Sequence, residues 1–418
     1  MLVSLILILL ALLGAPLFAV IATSAMLGFT QSEIPLSVMA IEFFSIAEMP
    51  ILLAIPLFTF AGYLLSESQA PNRLVRVTTA ILGWVPGGLA IVAIAACALF
   101  TAFTGASGVT IIALGALLYP ALAQAGYSEK FSLGMVTSGG SLGLLFAPSL
   151  PLILYGVVAE VSVDDLFLAG VLPGLLMMLV LSIYCLWVNR SNRVPLSDFS
   201  WSEVQAALLE SVWELPLPFI VLGGIYSGYL AVSEAAAVTA VYVVAVEVVI
   251  RREISIRQLP VIMRESMVLV GGILLILGAS LASTNYMIDA EVPQKLIALV
   301  GDMVSDRQSF LMLLFVFLLI LGAVLDIFSA LVLVVPLILP VASQFGVHPV
   351  HLGIIFLATM QLGYLTPPVG LNLFIASYRF EQPIMRVYLA SLPFLLLLMA
   401  TVILIIFWPG LSLLLVGE

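Results

Sequence analysis

Short clusters of glycine, proline and hydroxyl residues interrupt the apolar sequence, and these residues have the clearest chemistry. In the first half they form the segments Thr104–Ser107 and Ser141–Ser149. The second half supplies the same groups at Gly322, Asp326, Ser329, Gly363, Thr366 and Asn372. Where a helix is interrupted, a new helix start offers N–H groups to an anion, and a helix end offers carbonyl groups to a cation. Carbonyls, hydroxyls and carboxylates are the ligands expected for a hard cation such as sodium.

Two of the interrupted stretches align without a gap at an offset of 220 residues, Leu117–Gly156 with Leu337–Ala376. The identical positions are Pro120, Gln124, Gly126, Leu142, Gly143, Leu145 and Pro148, which match Pro340, Gln344, Gly346, Leu362, Gly363, Leu365 and Pro368. A single glycine or proline could be only a packing contact or a kink. A break that recurs at one offset favours a function, because paired interrupted segments in a membrane protein indicate a transport site. We therefore expect a secondary transporter.

The composition is that of a membrane protein. The chain is 63% hydrophobic and 9% charged over 418 residues, whereas a soluble protein carries about 25% charged residues. Several uncharged runs reach the roughly 20 residues that a spanning helix needs. The net charge of −10 argues against a nucleic-acid partner. His348 and His351 lie in a predicted external turn and have metal-ligand spacing but no third ligand, so no metal site other than sodium is predicted.

The basic residues predict the topology. We place the N-terminus in the cytoplasm and interpret Met1–Gly28 as a retained spanning helix. Leu215–Tyr229 and Val232–Ile250 are predicted to cross as a pair, out and back. All Lys and Arg residues then lie on the cytoplasmic side except Lys295 and Arg307, as the positive-inside rule favours. An odd number of crossings separates the two aligned stretches, so they must be inverted. Asp326 falls deep in the apolar layer, where a lone carboxylate is costly and is a functional candidate by default.

Two segments are too interrupted for simple spans. Each arm around Thr104–Ser107 has about a dozen and a half residues, which at 1.5 Å per residue barely crosses a bilayer of about 30 Å. We therefore predict re-entrant hairpins at about 88–124 and 310–345, each followed by a broken helix, 131–158 and 352–377. The predicted fold is an all-α polytopic membrane protein with inverted repeats and two re-entrant helical hairpins.

Six stretches carry a family resemblance, and the combination of SEAAAV with LTPPVGLN is highly specific. They are AIPLFTFAGYLL at Ala54–Leu65, GGLAIVAIAACALFTAFTGASG at Gly87–Gly108, LFLAGVLPGLL at Leu166–Leu176, GGIYSGYLAVSEAAAV at Gly223–Val238, LDIFSALVLVVPLILP at Leu325–Pro340 and LGYLTPPVGLNLF at Leu362–Phe374. Over nearly its whole length the chain resembles the large membrane (M) subunit, DctM-like, of tripartite ATP-independent periplasmic (TRAP) transporters.

The resemblance implies an elevator-type transporter, similar to the ion transporter superfamily, and not an enzyme. It implies import of a small organic acid anion coupled to about two sodium ions rather than to ATP, across the bacterial inner membrane. It also implies two protein partners, a small four-helix membrane subunit (Q) and a periplasmic substrate-binding protein (P). The substrate stays open among C4-dicarboxylates, keto acids, sialic acid, sulfonates and ectoines.

The resemblance further implies ligands, several of them backbone carbonyls. The first sodium site maps to Ser107, Gly143, Phe146 and Ala147, and the second to Gly322, Gly363, Thr366 and Val369. The family's usual GPIIPPS break reads Gly143-Leu-Leu-Phe-Ala-Pro-Ser149 here, and its SGSS tip reads TGASG. The anion is expected between the first hairpin tip and the second break, on Thr104, Ser107, Asp326, Ser329 and Asn372.

The expected division of the chain follows from these assignments. Scaffold helices and an interfacial arm form 1–87, and scaffold helices with a connecting arm form 166–307. The two transport-domain repeats are 88–165 and 308–388, and a C-terminal helix forms 389–418.

Three alternatives differ in class or partner. A stand-alone sodium/dicarboxylate carrier would need no binding protein. An intramembrane enzyme would need a buried nucleophile–base pair or a metal cluster. A scaffold or passive channel would be expected to carry a continuous polar stripe on its spans.

Overall fold

The computed structural model describes residues 6, 7, 9, 10, 13–85, 88–190, 199–304 and 306–416, and within them the secondary structure is helical. The first turns of the predicted helix Met1–Gly28 and the predicted cytoplasmic Arg193 lie outside the described residues. In the described part, eight helices are long and apolar enough to cross a membrane, or nine when the bent pair Glu129–Leu145 and Leu150–Ala159 counts as one span. The protein is therefore a multi-pass helical membrane protein.

The first half contains a chain of helices joined by short turns. They are α1 Leu17–Gln31, α2 Ser37–Ala47, α3 Ala54–Glu67, α4 Ala70–Leu82, α5 Gly88–Thr104, α6 Ser107–Gln124, α7 Glu129–Gly139, α8 Leu150–Ala159 and α9 Val163–Val188. A 3₁₀ turn, Leu142–Leu145, lies between α7 and α8.

The second half continues in the same manner. Its helices are α10 Trp201–Glu210, α11 Pro216–Tyr226, α12 Val232–Val244, α13 Leu259–Asp289, α14 Val292–Met303, α15 Arg307–Val324, α16 Ile327–Gln344, α17 Pro349–Gly363, α18 Leu371–Arg379, α19 Ile384–Phe407 and α20 Gly410–Leu413. A π-helical segment, Ala245–Ile250, extends α12.

Polar residues define where several of these helices begin. The Ser128 hydroxyl accepts a hydrogen bond from Phe131 N at the start of α7, and the Ser162 hydroxyl accepts one from Asp165 N at the start of α9. Asp306 does the same for Ser309 N at the start of α15. Each cap satisfies an N–H group that has no partner inside its own helix. The caps fix the helix boundaries within otherwise continuous apolar sequence.

The structural repeat is longer than the aligned sequence stretches. The starts of α5–α9 and of α15–α19 are separated by 219 to 221 residues. Pro173 and Pro393 lie inside α9 and α19 at the same offset. Gly126 and Gly346 both have left-handed backbone, with φ of +83° and +69°, a conformation that glycine adopts without steric cost. Two copies of one five-helix unit therefore account for much of the chain.

The contacts of α19 show that the two copies are antiparallel. The start of α7 lies beside the start of α19, because Arg386 Nη2 is 2.6 Å from Glu129 Oε2. The start of α17 lies beside the end of α19, because His351 Nε2 is 3.3 Å from Ile406 O. Since α7 and α17 occupy matching positions, they enter from opposite ends of one long helix. The predicted inverted repeat is confirmed.

Both predicted hairpins are present as pairs of packed helices, α5 with α6 and α15 with α16. At the tip of the first hairpin, Thr101 Oγ1 lies 2.6 Å from Thr110 Oγ1. At the open end of the second hairpin, the Phe310 and Phe345 rings stack with centroids 4.6 Å apart. Each pair thus begins and ends at the same end of the molecule, as a re-entrant hairpin does.

The predicted crossing Leu215–Tyr229 contains the 11-residue helix α11, which is shorter than the roughly 20 residues of a spanning helix, and the crossing stays a prediction. The predicted position of His351 in an external turn is wrong. His351 is fully buried in α17, and its Nδ1 is 3.1 Å from Ser412 Oγ.

We predict that cysteines placed at the matching positions Gln124 and Gln344 are labelled from opposite sides of the membrane. Both residues are exposed helix ends, and the native Cys97 and Cys185 are buried, so background labelling is low. A membrane-impermeant maleimide applied to right-side-out and inverted vesicles measures the sides. Tyr378→Cys is the control, because it lies at the same end as Gln124 and should share its accessibility. Labelling of both matching positions from one side would contradict the inversion.

Candidate functional site

The tip of the first hairpin packs directly on the first break. Gly105 has a left-handed φ of +65°, and a Cβ there would lie 2.5 Å from Leu150 Cγ. Only glycine satisfies both the backbone conformation and this close approach. The hairpin tip therefore rests on the first residue of α8, where the broken helix resumes.

The same tip is bonded to the second break, in the other half of the chain. Ser107 Oγ donates a hydrogen bond of 2.7 Å to Asn372 Oδ1, and both side chains are buried. Farther along, Arg379 Nε donates to Ile112 O at 3.1 Å. Because Ser107 pairs with Asn372 and Ile112 pairs with Arg379, α6 and α18 run in the same direction and begin side by side.

The starts of α6 and α18 have no side-chain cap. Ala106 and Gly370 occupy their N-cap positions, and neither makes a side-chain capping hydrogen bond. The first N–H groups of a helix have no partner inside it, and they carry the positive end of the helix dipole. Two parallel helices that start together thus present two positive ends to one point.

Buried polar atoms without hydrogen-bond partners surround this point. They are Thr104 Oγ1 and Asn372 Nδ2, together with Ser149 Oγ just before α8. All three residues are 0% exposed. An unsatisfied buried polar atom costs about 1–3 kcal/mol, so the cluster is suited to a polar ligand. Asn372 is the best placed of the three, because its amide oxygen is already held by Ser107 and its amide N–H₂ is free to donate.

Asp326, the carboxylate predicted to lie deep in the apolar layer, is hydrogen-bonded to the start of the helix that follows it. It is exposed and it caps α16, with Oδ1 accepting hydrogen bonds of 3.0 Å from both Phe328 N and Ser329 N. The Ser329 hydroxyl donates to Oδ2. At the matching position, the first hairpin has Ala106. The start of α16 is therefore neutralised by a carboxylate, whereas the start of α6 is not.

The residues of the first predicted sodium site lie around the first break and the hairpin tip. Gly140 lies against Ser107 O, and a Cβ on Gly143 would overlap Ala98 O of α5. The Phe146 ring packs against Gly174 of α9. Gly143 O accepts from Phe146 N at 3.1 Å, and Phe146 O accepts from Ser149 N at 3.0 Å. Each carbonyl keeps a second lone pair. Ala147 follows at the end of this turn and is half-buried.

The second predicted sodium set is close together. A Cβ on Gly363 would overlap the backbone of Gly322, so α15 and α17 touch backbone to backbone. Thr366 N donates to Gly363 O at 2.9 Å, and Thr366 Oγ1 donates to Leu362 O at 2.9 Å. Val369 precedes Gly370, whose N–H donates to Ala323 O at 3.2 Å. These contacts hold the second break, which follows α17, against the end of α15.

Sequence reasoning missed the residues that hold the breaks in place. Thr101 Oγ1 donates to Gly140 O at 2.9 Å and contacts Thr110, linking both arms of the first hairpin to the end of α7. The Tyr364 hydroxyl accepts from Ile327 N at 2.7 Å and so anchors the start of α16. The only available signal was a hydroxyl group in an apolar stretch that also lies near a predicted break.

The second hairpin lacks the polar link of the first. Leu321 and Ala330 occupy the positions that match Thr101 and Thr110. A cavity of about 330 Å³ lies between α14, α15 and α16, and it is lined by apolar side chains that include Phe310, Leu314, Phe317, Val334, Leu337 and Val341.

The structure thus brings together part of the predicted substrate set. Thr104, Ser107 and Asn372 meet at the starts of α6 and α18. Asp326 and Ser329 instead form their own capping pair at the start of α16, and no described hydrogen bond joins them to the other three.

We predict that Gly363→Ala destabilises the fold by about 1–3 kcal/mol, since the added methyl group must force α15 and α17 apart. Gly272→Ala is the matched control, because no heavy atom lies near its Cβ position in α13. That change should stabilise by about 0.5–1 kcal/mol, as alanine replaces glycine inside a helix. Thermal unfolding in detergent measures both. Equal effects of the two changes would contradict the backbone contact.

The chain matches known proteins along nearly its whole length. The family described as "Tripartite ATP-independent periplasmic transporter, DctM component" matches residues 3–411. The C4-dicarboxylate TRAP transporter large permease protein DctM of Pseudomonas aeruginosa is 35% identical over 376 residues, which cover 90% of this chain and 88% of that protein. The ectoine/5-hydroxyectoine TRAP transporter large permease protein UehC of Ruegeria pomeroyi is 30% identical over 410 residues, covering 97% and 96%.

A solved structure shares the fold. The YdaH transporter of Alcanivorax borkumensis superposes with a TM-score of 0.66 at 15% sequence identity, covering 91% of this chain and 89% of that one. At this identity the likeness concerns the fold alone. The family match and the two permeases carry the assignment: the chain belongs to the DctM family of TRAP transporter large permeases.

Proposed function

We propose that this permease imports a small organic acid anion across the bacterial inner membrane, driven by sodium ions and by an elevator motion. In this proposal a periplasmic substrate-binding protein delivers the anion, and a small four-helix membrane subunit completes the transporter. The single observation that carries the anion site is the pair of uncapped starts of α6 and α18, joined by the Ser107–Asn372 hydrogen bond.

The anion would bind between these helix starts. The free N–H groups of α6 and α18 and the amide Nδ2 of Asn372 converge there, and Thr104 adds a hydroxyl. A hydrogen bond to a charged group contributes about 1.5–3 kcal/mol, so a few such donors hold a carboxylate without a basic side chain. Relatives are named for C4-dicarboxylates and for ectoine, which supports a small organic acid as the substrate class.

Sodium would bind where backbone carbonyls gather at the two breaks. The closeness of Gly322, Gly363 and Thr366 supports the second site, with Val369 completing it. The carbonyls of Gly143 and Phe146 support the first, together with Ser107 and Ala147. Backbone carbonyls and hydroxyls suit a hard monovalent ion, and they keep the site neutral until the ion and the anion bind together.

We propose that the repeats 88–165 and 308–388 move together as the transport unit. The hydrogen bonds Ser107–Asn372 and Tyr155–Pro349 connect them across the two halves. We include α9 and α19 in this unit, because they pack against α17 and α7 respectively and against each other. The remaining parts of 1–87 and 166–307 would form the scaffold.

The charges at the two ends support one orientation in the membrane. Lys130, Arg379 and Arg386 lie where the first hairpin opens, and basic residues favour the cytoplasmic side. We therefore place this end, and the N-terminus, in the cytoplasm. The end that carries His348 and Glu160 would face the periplasm and meet the binding protein.

We predict that Asn372→Asp lowers kcat/KM for the anion at least about 10- to 100-fold, because it replaces a donor by a negative charge. Uptake into proteoliposomes, with the small subunit and with or without the binding protein, measures the effect. Asn72→Asp on the exposed face of α4 is the control and should stay within about twofold. Full activity of Asn372→Asp would place the anion elsewhere, and uptake without binding protein would indicate a stand-alone carrier.

We predict that Thr366→Val raises the sodium concentration for half-maximal uptake about tenfold, a loss of about 1.4 kcal/mol of ion binding. Thr401→Val is the matched control. Thr401 also donates to the carbonyl four residues earlier, Leu397 O at 2.9 Å, but it lies in α19, away from the proposed site. Its sodium activation should match that of the unmodified protein. Unchanged sodium activation in Thr366→Val would remove Thr366 from the site.

A further inference from the structure

A cluster of charged side chains lies buried where α4 meets the segment between α10 and α11 and the end of α12. It contains Arg73, Glu214, Glu247, Arg251 and Glu253, and we call it the Arg73 cluster. Arg73 is 4% exposed, Glu214 6% and Glu247 0%. Ionised groups are rarely buried so completely unless they are paired. None of these residues belongs to the proposed anion or sodium sites.

Arg73 is the centre of the cluster. Its Nη2 atom lies 2.5 Å from Glu214 Oε1 and 3.5 Å from Glu247 Oε1. The same atom donates to Glu253 Oε2 at 3.2 Å. Arg251 Nη2 is 3.9 Å from Glu214 Oε2 and also donates to Glu210 O. Tyr242, whose hydroxyl donates to Trp213 O, is the other titratable side chain beside Glu214.

Glu247 is the most deeply buried member of the cluster and lies farther from Arg73 Nη2 than Glu214 does, at 3.5 Å against 2.5 Å. Like those of Glu214, its carboxyl oxygens accept no hydrogen bond from an N–H or O–H group among the described residues. It lies in the π-helical segment that ends α12. After this segment the chain folds back, with Glu253 N donating to Glu247 O at 2.9 Å. The fold-back brings both carboxyl groups to the same atom, because Arg73 Nη2 lies 3.5 Å from Glu247 Oε1 and 3.2 Å from Glu253 Oε2.

The charges of the cluster do not balance if every group is ionised. Three carboxylates face two guanidinium groups, so one buried negative charge is left over. An uncompensated buried charge costs several kcal/mol, and two adjacent carboxyl groups avoid it by sharing one proton. Burial disfavours ionised Glu253, but the hydrogen bonds from Arg73 and from Gln69 N outweigh burial and lower its pKa. Glu253 is therefore the charged member of the pair.

We propose that Glu247 is a proton-binding site, and that its carboxyl group donates a hydrogen bond to the Glu253 carboxylate beside Arg73. The bound proton completes the Arg73 cluster and fastens the start of α4 to the end of α12. Loss of the proton leaves two adjacent carboxylates that repel each other and loosens this attachment.

The helix that matches α4 is α14, and it has no buried charged residue among its described side chains. Pro293 occupies the position in α14 that matches Arg73. The proton therefore acts on α4 and not on α14. Helix α4 leads into the first hairpin and packs against α5.

The test is the pH dependence of stability in the full-length protein and its Glu247→Gln variant. The folded state holds a proton that the unfolded chain releases, so stability falls as the pH rises through the titration of the pair. We expect the unfolding temperature of the unmodified protein to fall by several degrees from about pH 6 to about pH 9, a range above the usual carboxyl values. Glu247→Gln keeps the hydrogen-bond donor without a titrating proton, so its curve should lose this slope.

Glu203→Gln is the matched control. Glu203 also pairs with an arginine of α4, Arg76, but both side chains are about half exposed, at 50% and 44%, so this variant should keep the full slope. If Glu247→Gln keeps the slope as well, the proposal fails.

Infrared difference spectra of the unmodified protein provide a second measurement that needs no stable variant. A protonated-carboxyl C=O band should disappear over the same pH range. Glu253→Gln removes the partner carboxylate, so this band should be absent near neutral pH in that variant. A spectrum without a titrating carboxyl band in the unmodified protein would overturn the proposal.

Discussion

Backbone N–H and C=O groups that leave a helix inside a membrane must find partners within the protein, because lipid offers none. Both breaks in this permease obey that constraint through a hairpin. Gly140 O, at the first break, accepts from Thr101 of α5. Gly370 N, at the second, donates to Ala323 O of α15. Each hairpin therefore reaches the middle of the molecule in order to close the break beside it, and the inverted arrangement lets both meet there from opposite ends.

The helix starts that lack a side-chain cap are as informative as the start that has one. Asp326 satisfies the start of α16, whereas Ala106 and Gly370 leave the starts of α6 and α18 without a side-chain cap. The pseudo-symmetry is thus broken at the point where a ligand is expected. The start of α16 carries the negative charge of Asp326. The starts of α6 and α18 instead lie side by side with the unpartnered amide Nδ2 of Asn372 between them.

The sequence was sufficient to predict the inverted repeat and the two hairpins, because both leave local signals: an offset shared by many positions and apolar arms that are interrupted near their middle. It could not show that Ser107 bonds to Asn372, since those residues lie 265 positions apart. Asp326 was interpreted as a functional candidate because a lone carboxylate deep in the apolar layer is costly, although an aspartate just before a helix is also a cap. The Arg73 cluster draws on residues from separate parts of the chain, and no single segment reveals it.

The polar link in the first hairpin has a mechanical consequence. Separating α5 from α6 would break the hydrogen bond between the buried hydroxyl groups of Thr101 and Thr110. Between α15 and α16, no side-chain hydrogen bond is found in the described part of the chain, and the contacts beside the cavity are apolar. Lipid acyl chains could therefore replace these contacts at almost no loss of free energy. We therefore expect the first hairpin to resist opening more strongly than the second, although both are copies of one unit.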